Sequence, residues 1–313
     1  MQHVIEAVDV RKNYRGGTEG AGLNGFDLAV APGTVTGLLG PNGAGKTTAV
    51  RILSTLLQLD SGTASVAGYD VSRQGAEVRR RIGLVGQYAA IDEVLTGRQN
   101  LVMFGRLNHV GHKQSVRRAD ELLERFGLTG AAGQAVSKYS GGMRRRLDLA
   151  ASLIVSPAVL FVDEPTTGLD PGGRREVWTA IRQLVDNGTT VLLTTQYLEE
   201  ADQLANRISM LKDGRVVAEG TPDQLKTRLG SDWLDLVLAD PAEVQQVLGI
   251  AAPLADGEIR VDGNRISVPV QDRTRALTVM ANSLHEARIE PEDITLRRPT
   301  LDEVFLHLTG AAA

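Results

Sequence analysis

The 313-residue sequence contains no cysteine, which excludes disulfide bonds and thiolate metal sites. Its formal net charge is only −4, which argues against a general nucleic-acid-binding surface. No stretch approaches the roughly 18 consecutive apolar residues that a membrane-spanning helix needs, and the first residues lack the pattern of a secretory signal peptide. We therefore expect a membrane role, if there is one, to come through a partner.

The amino-acid composition is typical of globular proteins, with 42% hydrophobic and 23% charged residues, so we expect a substantial buried core. Short β-type runs alternate with longer helical patterns, which predicts a mainly parallel sheet with crossover helices. Residues 35–39 form the first buried run, and the helix after it should begin near Lys46 and carry Val50, Leu53, Leu56 and Leu57. Further strand-like runs lie at residues 82–85, 159–163 and 190–194, with a hairpin at 208–212 and 215–218.

Two regions depart from this alternation. Between about residues 88 and 157 the strand pattern disappears, which predicts a helical subdomain inserted into the α/β core. After residue 230 the composition changes, and we predict a small α+β domain over 231–313 that follows a main domain over 1–230. Residues 300–303 have the spacing of a capping box, which predicts a final helix.

The loop after the first strand has the phosphate-loop pattern G-x-x-x-x-G-K-[ST], formed by Gly40, Pro41, Asn42, Gly43, Ala44, Gly45, Lys46 and Thr47. Its glycines let successive backbone N–H groups point at phosphate oxygens, and the following helix presents its positive N-terminal end. We expect Lys46 to reach the β- and γ-phosphates of a nucleotide, Thr47 to ligate Mg²⁺, and Thr48 to donate to phosphate.

A second chemical signal is a pair of acids at the end of the apolar run 159–163. Ligands of open parallel sheets bind at the carboxyl ends of the strands. Asp163 is therefore predicted to hold Mg²⁺, directly or through water, and Glu164 to act as the general base that polarises the attacking water.

A third motif resembles the signature motif of ATP-binding cassette proteins. It is formed by Tyr139, Ser140, Gly141, Gly142 and Met143. The resemblance implies a phosphate-loop NTPase core of the cassette type. It also implies that Ser140 and the two glycine N–H groups form a second phosphate-binding cap. In the family this cap serves the nucleotide of a second copy, so a head-to-tail homodimer with ATP between the subunits is expected.

Other positions acquire roles only through this resemblance. Gln87 matches the glutamine that contacts Mg²⁺ and water and links the core to the helical subdomain. Tyr14 matches the aromatic residue that stacks on adenine, although an ordinary edge-strand tyrosine is an alternative. The segment Gly168-Leu169-Asp170 matches the loop that touches the opposing subunit.

Gln196 departs from the family pattern, which usually has a histidine at this place contacting the γ-phosphate. A glutamine amide can donate a hydrogen bond to phosphate, but it cannot become cationic. We therefore expect slower hydrolysis with less dependence on pH between about 6 and 7.5. The alternative is that Gln196 only packs.

The segments 194–203 and 299–310 look like those of the daunorubicin/doxorubicin-resistance exporter ATPases. This resemblance implies a subunit on the cytoplasmic face of the membrane that pairs with a separate integral-membrane permease and exports a hydrophobic drug or lipid. Nucleic acid is not an expected partner. We interpret the run Arg144-Arg145-Arg146 as a solvated, ion-paired helix face, since three consecutive helical residues point in three directions.

Two alternatives stay open. One is a soluble cassette ATPase that acts on DNA or ribosomes, although zinc-binding cysteines and a second phosphate loop are both absent. The other is a regulatory cassette that binds ATP without turnover, which Gln196 keeps open and Glu164 argues against.

Overall fold

The structure is a computed structural model and describes residues 3–14, 22–87, 90–227 and 232–309, with side chains to residue 305. The chain divides into two compact units, Met1–Pro222 and Asp223–Ala313. The predicted boundary at residues 230 and 231 lies outside the described residues, so the two predicted domain ranges stay a prediction.

The first unit contains two sheets and the helices between them. Its strands are β1 (Ile5–Asn13), β2 (Gly22–Val30), β3 (Val35–Leu39), β4 (Ser61–Val66), β5 (Tyr69–Asp70), β6 (Ile82–Val85), β7 (Val159–Asp163), β8 (Thr190–Thr195), β9 (Arg207–Lys212) and β10 (Arg215–Gly220). Its helices are α1 (Lys46–Leu53), α2 (Gly75–Arg79), α3 (Gly97–Leu107), α4 (His112–Arg125), α5 (Gly141–Ser152), α6 (Pro171–Asp186) and α7 (Leu198–Leu204).

The larger sheet has six strands in the order β10-β9-β3-β8-β7-β6. All neighbouring pairs are parallel except β9 and β10, which form the predicted hairpin. Its turn residues Asp213 and Gly214 have φ angles of 49° and 74°, the left-handed conformation that a tight hairpin turn requires. The α/β prediction is confirmed.

Both faces of the central strands of this sheet are covered, which explains why β3, β7 and β8 are mainly apolar. Along β7, Val159 and Phe161 face one core, which is shared with α1 and the antiparallel sheet β2-β1-β4-β5. Leu160 and Val162 face the other core, which is shared with α3 to α6. The two cores hold the strand ends rigidly, and the sites described below follow those ends.

The helix α1 is shorter than predicted. It ends at Leu53, and Thr55 adopts a left-handed φ of 66°, which breaks the helical path. Leu56 is consequently 63% exposed instead of lying on the apolar stripe, so that part of the prediction is wrong. Leu57 lies outside the helix but still packs, partly buried, on the core beside it.

The second unit begins within α8 (Pro222–Thr227) and contains an antiparallel sheet in the order β12-β13-β11-β14. Its elements are β11 (Asp232–Leu238), α9 (Val244–Ala251), β12 (Arg260–Asp262), β13 (Arg265–Val270), α10 (Arg273–Ala287), β14 (Pro291–Arg297) and α11 (Leu301–Thr309). Alternate residues of β11, with those of β13, pack on α9 and α10. The predicted capping box is confirmed, because Thr300 and Glu303 exchange hydrogen bonds at the start of α11.

On the other face of this small sheet, the buried Asp235 accepts hydrogen bonds from Arg265 and Arg297 at 3.0 and 2.8 Å. Arg297 also pairs with Glu303 through two bonds. These contacts tie β11, β13, β14 and α11 together, so charge pairing supplements the apolar core of this unit.

Candidate functional site

The carboxyl ends of four neighbouring parallel strands carry most of the predicted site residues. The phosphate loop follows β3, Gln196 follows β8, Asp163 ends β7 with Glu164 directly after it, and Gln87 follows β6. Because the strands are adjacent in the order β3-β8-β7-β6, the sheet brings these segments to one edge.

The phosphate loop depends on its glycines. Gly43 and Gly45 have φ angles of 84° and 107°, a conformation that residues with a side chain rarely adopt. A Cβ atom at Gly40 would lie 2.4 Å from the carbonyl oxygen of Leu211, so only glycine fits there. Pro41, Asn42 and Gly43 are exposed, and Ala44 is buried beneath them. The curl of the loop thus leaves its tip open above the N-terminus of α1.

Lys46 is almost completely buried at the base of this loop. Its Nζ donates to the carbonyl oxygens of Gly40 and Pro41 at 2.7 and 3.1 Å, and it lies 3.7 Å from Oε1 of Glu164. Burial lowers the pKa of Lys46, and the charges of Glu164 and Asp163 oppose that shift. A desolvated ammonium group beside an open glycine loop suits an anionic ligand.

Asp163 is buried between two hydroxyl groups. Its carboxylate accepts a hydrogen bond from Thr194 Oγ1, and its Oδ2 lies 3.4 Å from Thr47 Oγ1. A carboxylate and a hydroxyl at this separation are oxygen ligands of the kind that Mg²⁺ prefers. The pair therefore fits a hard divalent cation shared with phosphate oxygens.

Glu164 has an unusual backbone conformation, with a φ of 45°. Its N–H donates to the carbonyl oxygen of Thr194 at 3.0 Å, which holds this turn to the neighbouring strand. Its carboxylate faces Lys46 and also lies 3.4 Å from the hydroxyl of Thr167. A non-glycine residue in the left-handed region is strained, and such strain is typical of functional sites.

Tyr14 lies at the end of β1, and its hydroxyl is 3.3 Å from Oγ1 of Thr48 in the first turn of α1. Tyr14 is 42% exposed, so the residue is partly open to solvent. The structure therefore brings the predicted adenine-stacking residue beside the predicted phosphate-binding helix.

Ser140 caps the N-terminus of α5, and its Oγ accepts a hydrogen bond from the Met143 N–H at 3.2 Å. Ser140 and Gly141 are exposed, whereas Gly142 packs closely against Gly173 of α6. Within the described part of the chain, no hydrogen bond or ion pair joins residues 140–142 to the phosphate loop. The structure therefore does not bring the two predicted phosphate-binding elements together within one copy.

The two predicted glutamines lie on loops after their strands. Gln87 is exposed, and Gln196 is half-buried between Thr195 and Tyr197. The Thr195 hydroxyl accepts from the Tyr197 N–H at 3.0 Å, and the guanidinium of Arg174 lies 5.0 Å from the centre of the Tyr197 ring.

The three consecutive arginines do point in three directions, but they are not one solvated face. Arg144 pairs with Glu93 and Arg146 with Glu176, which agrees with the interpretation of this run as ion-paired. Arg145 is instead 7% exposed and bonded to Asp148, so the interpretation as a solvated face is wrong for this residue. The acid three residues later, Asp148, indicates an ion pair on the helix, but nothing in the sequence shows that Arg145 and not its neighbours is buried.

Glu200 is a second buried acid that the sequence interpretation missed. It is 1% exposed and accepts hydrogen bonds from Thr166 Oγ1 and Trp178 Nε1 at 2.9 and 3.1 Å. Burial raises the pKa of Glu200, and these hydrogen bonds oppose the shift. The residue connects α7, which follows Gln196, to the loop after Glu164.

Comparison with known proteins bears on the identity of this site. Residues 23–167 match the family model described as ABC transporter. The daunorubicin resistance ATP-binding protein DrrA2 of Streptomyces coeruleorubidus is 60% identical over 98% of this chain and 95% of its own length. The daunorubicin/doxorubicin resistance ATP-binding protein DrrA of Streptomyces peucetius is 49% identical over 99% of this chain and 93% of its own.

The fold has a solved counterpart in an ATP-binding cassette determined as a dimer in a post-hydrolysis state, bound to ADP and phosphate. It is 26% identical, with a TM-score of 0.62, and the match covers 69% of this chain and 98% of that one. Among the residues that the structure describes, no helix combines the length and the apolar character needed to cross a bilayer.

Proposed function

The chain belongs to the ABC transporter family, and we propose that it is the ATP-hydrolysing subunit of an exporter that acts through a separate membrane permease. The observation that carries this proposal is the open phosphate loop beside Asp163 and Glu164, together with the exposed Ser140 at the start of α5.

In this proposal Tyr14 stacks on the adenine ring while the phosphate loop, residues 40–47, encloses the phosphates. The exposure of Tyr14 and its contact with Thr48 support the first role. The left-handed glycines and the buried ammonium of Lys46 support the second, since they place backbone N–H groups and one positive charge at the same opening. Thr48 donates to phosphate from the first turn of α1.

Thr47 and Asp163 would hold Mg²⁺, with Gln87 completing the set from the end of β6. The fit rests on the 3.4 Å separation of the threonine and aspartate oxygens. When bound, the cation neutralises charge on the phosphate oxygens. Thr194 donates a hydrogen bond to the other oxygen of the Asp163 carboxylate, which keeps the carboxylate oriented toward Thr47.

Glu164 is proposed as the general base. Its left-handed backbone turns the carboxylate toward Lys46, where the terminal phosphate would lie. There it accepts a proton from the attacking water, a role worth about 10² to 10⁴ in rate. Gln196 donates a neutral hydrogen bond to the same phosphate from the neighbouring strand end.

The nucleotide is proposed to lie between two copies of the chain. Ser140, Gly141 and Gly142 offer a serine hydroxyl and helix N-terminal N–H groups to the phosphates bound by the other copy. Support comes from the exposure of Ser140 and Gly141, and from the absence of bonds between residues 140–142 and the phosphate loop within the described part of one copy. The head-to-tail homodimer then has two composite sites.

The permease is proposed to contact the helical segment between β6 and β7. A groove of about 590 Å³ lies between α3 and α4, lined by the apolar side chains of Val102, Met103 and Val116 and flanked by arginines. It lies close in sequence to the segment after Gln87, so a partner seated there would respond to changes at the site. We propose that the chain is held at the cytoplasmic face of the membrane in this way.

The transported molecule is proposed to be a hydrophobic drug of the daunorubicin type, by similarity to the relatives described as daunorubicin resistance proteins. A lipid of similar hydrophobicity is the second candidate. The binding pocket for either would lie in the permease.

The experiment is co-expression with its permease in a drug-sensitive host, followed by measurement of daunorubicin accumulation. We expect lower accumulation with the wild-type chain and no reduction with Glu164→Gln at equal expression. If the purified chain hydrolyses ATP but the two strains accumulate equal amounts of daunorubicin and of labelled lipid, the exporter assignment is wrong and a soluble role gains support.

A further inference from the structure

Arg145 makes an unusual set of contacts for a residue in the middle of a helix. Its Nε donates to the carbonyl oxygen of Pro165 at 2.9 Å, and its Nη2 donates to that of Asp163 at 3.1 Å. Its Nη1 donates to the carbonyl oxygen of Gly86 at 2.7 Å and to Asp148 Oδ2 at 3.2 Å. Three of these four acceptors are backbone oxygens that border the candidate active site.

The first group of contacts brackets Glu164. Asp163 and Pro165 are its two chain neighbours, and both of their carbonyl groups are held by one guanidinium. Since the backbone of Glu164 is in a strained left-handed conformation, tethers on both sides stabilise the turn that aims its carboxylate.

The second group of contacts brackets Gln87. Arg145 holds the carbonyl of Gly86, and Asp148 Oδ1 accepts from the N–H of Ala90 at 3.1 Å. Gly86 and Ala90, which lie on either side of Gln87 in the sequence, are therefore both held by the Arg145–Asp148 pair. Both members of this pair are buried, at 7% and 4% exposure.

We propose that Arg145 is a positioning residue that holds Glu164 and Gln87 in a fixed relation to the signature turn at the start of α5. The inference rests on the proposed ATPase function. Arg145 follows Ser140 by five residues, a rise of about 7.5 Å along one rigid helix. Engagement of Ser140 by a second copy's nucleotide is thereby transmitted to the base and to the Gln87 segment of the same chain.

The geometry explains why arginine is required. A planar guanidinium can donate to several acceptors in fixed directions, whereas a lysine ammonium is a compact charge on a flexible stem. Lysine would preserve the charge beside Asp148 but could not hold the carbonyl groups of Gly86, Asp163 and Pro165 together. Charge compensation and positioning can therefore be separated by substitution.

The test compares Arg145→Lys with wild type and with Arg146→Gln as a matched control. Arg146 is the next residue on the same helix. It donates to the carbonyl oxygen of Phe126 at 2.8 Å and pairs with Glu176, and these contacts do not involve the backbone beside Glu164 or Gln87. The measurements are kcat and KM for Mg-ATP hydrolysis, the Kd for an ATP analogue, and the midpoint of thermal unfolding.

For Arg145→Lys we expect kcat to fall between about tenfold and 10²-fold, because small misplacements of catalytic groups have effects of that size. Its KM and Kd should stay within threefold of wild type, since the phosphate loop is untouched. Arg146→Gln should keep kcat within twofold. Arg145→Gln leaves the buried Asp148 without its ion-pair partner. Its kcat should fall by the same factor as that of Arg145→Lys, and it should also unfold at a lower temperature.

Two results would overturn the proposal. One is an Arg145→Lys variant with wild-type kcat. The other is an Arg145→Lys variant in which kcat, nucleotide affinity and thermal stability all fall together, which would show a merely structural role. A wild-type chain that hydrolyses no ATP would instead overturn the proposed function, so the two failures are distinguishable.

Discussion

Replacing Glu164 by glycine should give a more stable protein than replacing it by alanine, the reverse of the usual order. The reason is the φ of 45° at this position. A residue with a Cβ atom is disfavoured in the left-handed region by roughly 1–2 kcal/mol, and glycine is not. Both variants lose the carboxylate and its contact with Lys46, so the difference between them reports the backbone alone.

The expected magnitude follows from two opposing effects. Glycine avoids the left-handed cost of about 1–2 kcal/mol, but its greater freedom in the unfolded chain costs about 0.5–1 kcal/mol relative to alanine. The net preference for glycine is then between about 0 and 1.5 kcal/mol in the free energy of unfolding, centred near about 0.75 kcal/mol, provided that the turn keeps its shape.

The assay is equilibrium urea unfolding of both variants, compared at the transition of the first unit. Arg117 provides a matched control, because it is 83% exposed in the middle of α4. There the glycine variant should be less stable than the alanine variant by about 1 kcal/mol. If glycine is also the less stable residue at position 164, the strained turn does not exist in solution and cannot orient the Glu164 carboxylate.

Three further predictions concern Gln196, Tyr14 and Glu200. Gln196→His should raise the hydrolysis rate and introduce a dependence on pH between about 6 and 7.5; an unchanged rate would indicate that Gln196 only packs. Tyr14→Ala should raise the KM for ATP about tenfold, because aromatic stacking on a base is worth about 1–3 kcal/mol, while Tyr14→Phe should leave it near wild type. Burial raises the pKa of Glu200 above its ordinary 4.5, so the folded chain retains a proton that the unfolded chain releases. The free energy of unfolding of wild type should therefore fall as pH rises through the window above 4.5, and in Glu200→Gln this part of the fall should disappear.

Much of the first unit could be predicted because its signals are contiguous in the sequence. Every residue of β3, β7 and β8 is buried, so these strands are mainly apolar, and the phosphate loop carries its glycines at fixed spacing. The β9–β10 turn was predictable for the same local reason, since Asp-Gly favours the backbone that the turn needs.

The antiparallel sheet of β1, β2, β4 and β5 left no comparable signal. Its strands alternate buried and exposed residues irregularly, and β1 pairs with both β2 and β4 through shifts in register. The end of α1 was also missed, because the left-handed conformation of Thr55 is not encoded by a glycine.

The role of Arg145 could not be predicted from its neighbours for a different reason. Its partners other than Asp148 are backbone carbonyl groups between 18 and 59 positions away. Because every residue has such a group, the residue type does not identify these acceptors. An arginine next to two others resembles a surface run until the fold shows which one is buried.

In the proposed assembly, two copies of the chain enclose the nucleotide. The direct test is the mass and nucleotide content of the Glu164→Gln variant in Mg-ATP, with and without the further substitution Ser140→Arg. We predict a dimer that holds two nucleotides for the first protein, and a monomer that still binds one nucleotide through its phosphate loop for the second. A Glu164→Gln protein that stays monomeric with ATP bound, or a dimer that survives Ser140→Arg, would contradict the claim.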